Sequence, residues 1–238
     1  MLLEGMIFDM NTALIVAGGI GLRMNKRERK QYLSLAGKPI IAHTVSAFEK
    51  CNHIDGIILV IPADDIPAVR QDILPILGLS KPIQIVAGGK HRQDSVYNGL
   101  KRLDPDCCIV VIHDGVRPFV SPAQISACII AAQKHAACIL GIPAFDTLKK
   151  VQSNGFVEKT LDRERIWLAQ TPQAFRTELI KKAHLRAQKD NILGTDDAYL
   201  VERLGINVKF IQGSRKNIKI TTIEDLELSY VLIRNEKD

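Results

Sequence analysis

Five short runs of apolar, largely β-branched residues constrain how this chain can fold: Ala13 to Val16, Gly56 to Ile61, Ile83 to Ala87, Ile109 to His113 and Ile139 to Pro143. Helix-like segments separate most of them. Strands spaced by crossover helices predict an α/β fold, a Rossmann-like, doubly wound and mostly parallel sheet with ligands at the carboxyl ends of its strands. The chain has 238 residues, 46% hydrophobic and 24% charged, which suits one such domain over 1–238. No repeat, linker or low-complexity stretch divides it.

The first run empties into Ala17, Gly18, Gly19 and Gly21, then into Arg23, Lys26, Arg27, Arg29 and Lys30. Glycines after a buried strand let backbone amides approach an anion closely, and the cations compensate its charge. The glycine spacing is wrong for the dinucleotide fingerprint, and no segment fits G-x-x-x-x-G-K-[ST]. What remains suits chemistry at a phosphorus centre, where cations neutralise a polyphosphate and the charge spread over its transition state. Arg23 and Lys30 are the expected catalytic cations, with the amides around Gly18, Gly19 and Gly21 on the phosphates. Met24 to Lys30, polar and flanked by glycines, is a candidate lid.

Asp114 follows an apolar run, so it is expected at a strand mouth, where its carboxylate could hold Mg2+ against nucleotide phosphates. The competing reading is an Asp capping a turn and paired with Arg117. His113 reads as a structural strand-end residue. Alternation in Asn217 to Thr221 predicts a strand with Asn217, Lys219 and Thr221 on one face, from which Lys219 can reach the crevice. Two helix starts are expected, one at Ser121 with Pro122 and Gln124 and one at Thr221 with Glu224. Asn154-Gly155 between β-forming residues predicts a polar hairpin that projects as an arm over about 144–165.

The formal net charge of +6 favours anionic partners, yet 5% aromatic residues and a single Trp supply a nucleic-acid stacking surface poorly. The five cysteines, Cys51, Cys107, Cys108, Cys128 and Cys138, show no metal-ligand spacing and sit among apolar neighbours, as expected for reduced thiols in a cytoplasmic protein. The first ten residues are too short to span a bilayer and lack the basic start of a signal peptide, so they are expected to be a frayed extension or to follow an upstream start codon.

The segments AGGIGLRM (17–24), KQYL (30–33), GKPI (37–40), GGKHRQDSVYNGL (88–100), HDGVRPF (113–119), LDRERIWLAQTPQAF (161–175), TDDAYLVE (195–202) and NIKITTIEDL (217–226) together resemble the sugar nucleotidyltransferases. More narrowly they are similar to the cytidylyltransferases that activate polyol phosphates, in collinear order over nearly the whole chain. The resemblance implies attack of a polyol phosphate on the α-phosphorus of CTP, with pyrophosphate leaving and Mg2+ as cofactor. It implicates Ala17, Gly18, Gly89, Lys90 and Ser95 in nucleotide binding. It implicates Arg117, Thr171, Thr195 and Lys219 in polyol phosphate binding, joined by Thr147 and Arg163 from an arm that embraces a second subunit of a homodimer. Two substrates remain open. AGGIG and VRPF lean toward D-ribitol 5-phosphate, whereas LDRERIW, RQDSVYNGL and TDDAYLVE favour the 2-C-methyl-D-erythritol 4-phosphate cytidylyltransferase family of isoprenoid synthesis. Outside this class stand a non-enzymatic nucleic-acid binder, which would show steep salt dependence, and a dehydrogenase.

Overall fold

The computed structural model describes residues 10–19 and 29–234. After β1 (Met10–Val16) come a single 3-10 turn, Lys30–Tyr32, and a small antiparallel pair, β2 (Ser34–Leu35) and β3 (Lys38–Pro39), leading into α1 (Ile40–Glu49). β4 (Gly56–Ile61) runs through a second 3-10 turn, Ala63–Asp65, into a broken helical stretch containing α2 (Ile66–Ala68) and α3 (Leu74–Leu77). β5 (Ile83–Ala87), α4 (Arg92–Leu100), β6 (Cys107–Asp114), α5 (Pro122–His135) and β7 (Ala137–Pro143) follow. The hairpin β8 (Lys149–Val151) and β9 (Val157–Thr160) precedes β10 (Trp167–Arg176), α6 (Thr177–Lys189), α7 (Asp197–Glu202), β11 (Lys209–Gln212) and α8 (Ile223–Arg234).

The seven-stranded sheet has the order β11-β7-β10-β6-β1-β4-β5. All its pairings are parallel except those of β10, which runs antiparallel to both β6 and β7. The chain leaves β1 for β4 and β5 on one side, then crosses back to place β6 on the other. That reversal opens a crevice at the carboxyl ends of β1 and β6, where such sheets bind ligands. Registers bring those ends level, with Val16 opposite both Val60 and Asp114.

Alternate residues of the buried strands feed two cores. Ala13, Ile15, Leu59 and Val111 pack with α1 and α5, while Leu14, Val16, Val60 and Ile112 pack with α4, α6 and α7. A third, smaller cluster joins Leu33, Leu35 and Ile40 to Val116 and Phe119 and to Ile220, Leu226 and Ile233 near the end of the chain. Area removed from water at about 25 cal/mol per Å² makes such clusters the main stabilising contribution.

The predicted hairpin forms. Gly155 takes a left-handed φ of +87°, Asn154 Oδ1 accepts from the Phe156 amide at 3.2 Å, and Lys149 pairs with Thr160 across an exposed arm. The start at Ser121 has its expected reciprocal cap with Gln124. Two expectations need correction. Residues 217–221 are not a strand: Ile218 and Ile220 turn into the third cluster, Thr221 bonds Asp225, and no strand among the described residues pairs with the segment. The last helix is capped one residue later than expected, by Thr222 with Asp225: the Asp225 amide donates to Thr222 Oγ1 at 3.3 Å, and Asp225 Oδ2 takes the amides of Thr221 and Thr222.

Candidate active site

Residues leaving β1 are pinned by both neighbouring strands: Ala17 N donates to Val60 O and Gly115 N to Val16 O, each at 2.8 Å. Opposite them the Gly88 to Lys90 turn leaves β5, with Gly88 N on Ile61 O at 2.7 Å. Ser95 ties the two sides together. It lies one turn inside α4, so it is not a helix-start residue, and its buried hydroxyl accepts from Gly89 N at 3.0 Å while donating to His91 O at 3.1 Å. A β-carbon at Gly18 would stand 2.9 Å from that oxygen, so a side chain fits there only if the Ser95 hydroxyl yields. Beneath them lies a cavity of about 180 Å³ lined by Ala17, Gly18, Gly19, Lys30, Gly89, Lys90, Ser95, Asp114 and Lys219. Gly21 and Arg23, with most of the candidate lid, lie outside the described residues.

A second cavity of about 270 Å³ adjoins the first and is lined by Arg117, Thr171 and Thr195, with Gln170 and Gln173. Asp114, Lys219 and Arg92 belong to both. The Asp114 carboxylate is the hub: Oδ1 receives Arg92 Nε at 2.9 Å, and Oδ2 faces Lys219 Nζ at 2.9 Å and Arg117 Nε at 3.5 Å. Burial alone would raise its pKa, but Arg92, then Lys219 and Arg117, hold it far below the usual carboxylate range. Arg92 continues inward, giving Nη1 to Asp197 Oδ2 at 2.7 Å, and Asp197 Oδ1 meets His184 Nε2 at 3.0 Å. Against the burial of Asp197, Arg92 and then His184 lower its pKa as well. Three cations thus face two carboxylates, leaving one positive charge in excess where the cavities meet. Arg92 Nη2 is buried without a hydrogen-bond partner among the described residues. An anion suits both features.

His113 is fully buried, and burial pushes its pKa down to about 4, so it is neutral near pH 7. A carbonyl only accepts, so His113 Nε2 carries the proton and donates to Arg117 O at 3.0 Å. Its Nδ1 then accepts from Thr171 Oγ1 at 3.0 Å, and that oxygen accepts from Asp114 N at 3.1 Å. His113 therefore orients Thr171 and Arg117, as a strand-end residue should, and offers no base to the crevice.

Lys219 reaches the crevice without a strand to hold it, because its neighbours do the holding. Asn217 Nδ2 donates to Thr171 O at 2.8 Å, Arg117 Nη1 to Asn217 O at 2.7 Å, and Ile220 N to Val116 O at 2.9 Å. Thr221 points elsewhere, bonding Asp225 at 2.7 Å. Thr147 and Arg163 stay exposed on the arm side and line neither cavity; Arg163 Nη1 donates to Phe145 O. The competing reading of Asp114 is half right, since the Arg117 pair exists within a larger cluster. Sequence reasoning missed Arg92, Asp197 and His184. Arg92 stands two residues after Lys90 and opens α4, a position that a search for cations near the glycine turn could have found.

The family model described as 2-C-methyl-D-erythritol 4-phosphate cytidylyltransferase matches residues 11–235. A protein of that name from Syntrophus aciditrophicus is 49% identical over 94% of this chain and 96% of its own length. Another, from Pelotomaculum thermopropionicum, is 46% identical over 95% of each. The crystal structure of 4-diphosphocytidyl-2C-methyl-D-erythritol synthase from Anaerococcus prevotii superposes with a TM-score of 0.84 at 34% identity, covering 95% of this chain and 96% of that one. With the matched segments spanning the glycine loop, the Asp114 cluster and the Lys219 segment alike, the chain belongs to the 2-C-methyl-D-erythritol 4-phosphate cytidylyltransferase family.

Proposed function

We propose that the crevice transfers the cytidylyl group of CTP to 2-C-methyl-D-erythritol 4-phosphate. A phosphate oxygen of the polyol attacks the α-phosphorus in line, the bond to the β-phosphate oxygen breaks, and pyrophosphate leaves. The observation that carries this reading is the meeting of two cavities at a cation-rich cluster, one under a glycine loop and one walled by Arg117, Thr171 and Thr195. The nucleophile is already ionised, so the protein needs to position two anions and neutralise the charge between them, not to remove a proton. Lys30, Arg23 and Lys219 neutralise the α-phosphate and the transition state, with the amides of Gly18, Gly19 and Gly21 on the triphosphate. Gly89, Lys90 and Ser95 hold the base side.

A carboxylate together with nucleotide phosphates is the oxygen donor set that Mg2+ takes, which supports this ion as the cofactor of the proposed reaction. Asp114 is the one carboxylate among the described residues lining the nucleotide cavity, and of its three cationic partners Lys219 is the most exposed, its side chain 38% accessible. Asp114 would hold the ion together with nucleotide phosphates, and the ion would supply charge neutralisation at those phosphates. The exposed arm, with Val151, Phe156 and Val157 open to solvent, suits a homodimer in which Thr147 and Arg163 complete the partner's polyol site. Five free cysteines, four of them buried, accord with a reducing cytoplasm, and no helix among the described residues is long and apolar enough to cross a membrane.

The test is pyrophosphate release with Mg2+ and CTP, comparing 2-C-methyl-D-erythritol 4-phosphate with D-ribitol 5-phosphate. Release with the first alone is expected. Release with the second alone would assign the ribitol substrate, and silence with both would overturn the transferase reading.

A further inference from the structure

Lys30 begins a helical element of three residues, Lys30–Tyr32. A single turn closed by Tyr32 N on Arg29 O and Leu33 N on Lys30 O, without a side-chain cap, cannot fix its own position. Its tethers do. Gln31, almost fully buried, donates Nε2 to Ala17 O at 2.9 Å and binds the turn to the glycine loop. On the other side Tyr32 donates its hydroxyl to Asp65 Oδ2 at 2.9 Å, and Arg29 Nε lies 3.4 Å from the same oxygen. One carboxylate oxygen thus grips the residue before Lys30 and the residue two after it. Asp65 closes the 3-10 turn that follows β4, has a largely covered side chain and lines neither cavity of the site.

We propose that Asp65 is a positioning residue for Lys30, fixing through Tyr32 and Arg29 the turn that presents this lysine to the nucleotide cavity. The proposal rests on the part given to Lys30 in transfer. Burial, reinforced by Asp65, holds the Tyr32 phenol well above its ordinary pKa, so it remains a donor at working pH. A cation that must meet a transition state loses up to about 10²-fold in rate when displaced by about 1 Å. Loss of the clamp should therefore appear in kcat.

The experiment is a double-mutant cycle on the full chain, measuring kcat, KM for CTP and thermal midpoint for Asp65→Ala, Lys30→Ala and the double variant, with Asp65→Asn and Tyr32→Phe alongside. Lys30→Ala should lose about 10²-fold or more in kcat. Asp65→Ala should lose about tenfold in the wild-type background and nothing further in the Lys30→Ala background, since a residue acting through Lys30 has nothing left to position. Asp65→Asn, which keeps an acceptor for Tyr32, should recover part of the loss, and Tyr32→Phe should reproduce part of it. The same fractional loss in both backgrounds would overturn the proposal while leaving the role of Lys30 intact. Near-normal turnover of Lys30→Ala would overturn both. Should Asp65→Ala fail to fold, Tyr32→Phe with and without Lys30→Ala gives the same decision, because it removes a single hydroxyl.

Discussion

The two halves of the crevice are built differently. The half proposed for the nucleotide is made of backbone leaving β1 and β5, the two parallel strands that flank β4, with Ala17 to Gly19 and Gly88 to Lys90 fixed by ladder continuations onto β4 and by one serine. The polyol half is made of side chains from elements far apart in sequence: Arg117 after β6, Thr171 in the antiparallel β10, Thr195 before α7 and Lys219 near the end of the chain. Backbone sites tolerate change in side chains but not in the space between chains. Side-chain sites behave the other way. The Asp114 cluster, with Lys219 and Arg92, belongs to both halves and should be the most sensitive point.

The comparison can be broken or sharpened by four perturbations, taken from the largest effect downward. Lys219→Ala should lower kcat by about 10²–10³ with the far-ultraviolet spectrum unchanged, since it removes a charge that lines both cavities of the proposed site; steady-state kinetics with each substrate varied would check this, and near-normal kcat would remove Lys219 from the transition state. Acid should loosen the seam between the halves. His113 binds its proton near pH 4 when folded and near 6.5 when unfolded, so its contribution is complete above pH 6.5 and is lost as pH falls through 4, roughly 3 kcal/mol in all. Asp114 and Asp197, both lowered, add a further loss below about pH 4. Urea unfolding at pH 7 and pH 4.5 would measure this, and His113→Asn should flatten the dependence within that window.

Arg163→Ala addresses the polyol half alone. Loss of about 2 kcal/mol, some thirtyfold in KM for the polyol phosphate with KM for CTP unchanged, is expected for one charged hydrogen bond. Equal losses for both substrates with the oligomeric state unchanged would contradict the division. The smallest effect should come from Gly18→Ala, whose new methyl meets the Ser95 hydroxyl. About 1 kcal/mol of CTP affinity should be lost by calorimetry, and Ser95→Ala in the same chain should restore part of it.

The difference between the halves also decided what the sequence disclosed. β4, buried at every residue, is a continuous apolar run, because a parallel strand buried on both faces carries no alternation, while β5 at the sheet edge keeps four apolar residues around an exposed Gln84. β4 and β5 accordingly match their predicted bounds residue for residue. β10 is hidden because Gln170, Thr171 and Pro172 read as a polar turn, and its antiparallel pairings with β6 and, on both sides of that turn-like segment, with β7 show that it is a strand. β11 is four residues on the sheet edge, Lys209, Phe210, Ile211 and Gln212, which neither alternate nor form a continuous apolar run. Lys219 was placed for a reason that only half applies, since its direction comes from Ile218 and Ile220 packing into the third cluster rather than from a ladder. The link from Arg92 to Asp197 left no trace in the sequence because its ends are 105 positions apart, although Arg92 by itself stands close to the glycine turn.

The third cluster ties the site to the order in which the chain is made. Leu33 and Leu35 follow Lys30, Val116 adjoins Asp114 and Arg117, and Ile220 adjoins Lys219, so residues on three sides of the crevice are rooted in one small apolar patch. That patch closes only with Leu226 and Ile233 of α8. Every strand of the main sheet is complete by Gln212. A chain stopped between Gln212 and Ile218 would hold every strand of the main sheet and every residue of the first two cores, yet lack Lys219 and the residues that close the third cluster. The sheet and the crevice are thus finished at different points along the chain, the sheet by Gln212 and the support beneath Lys219 only with Leu226 and Ile233.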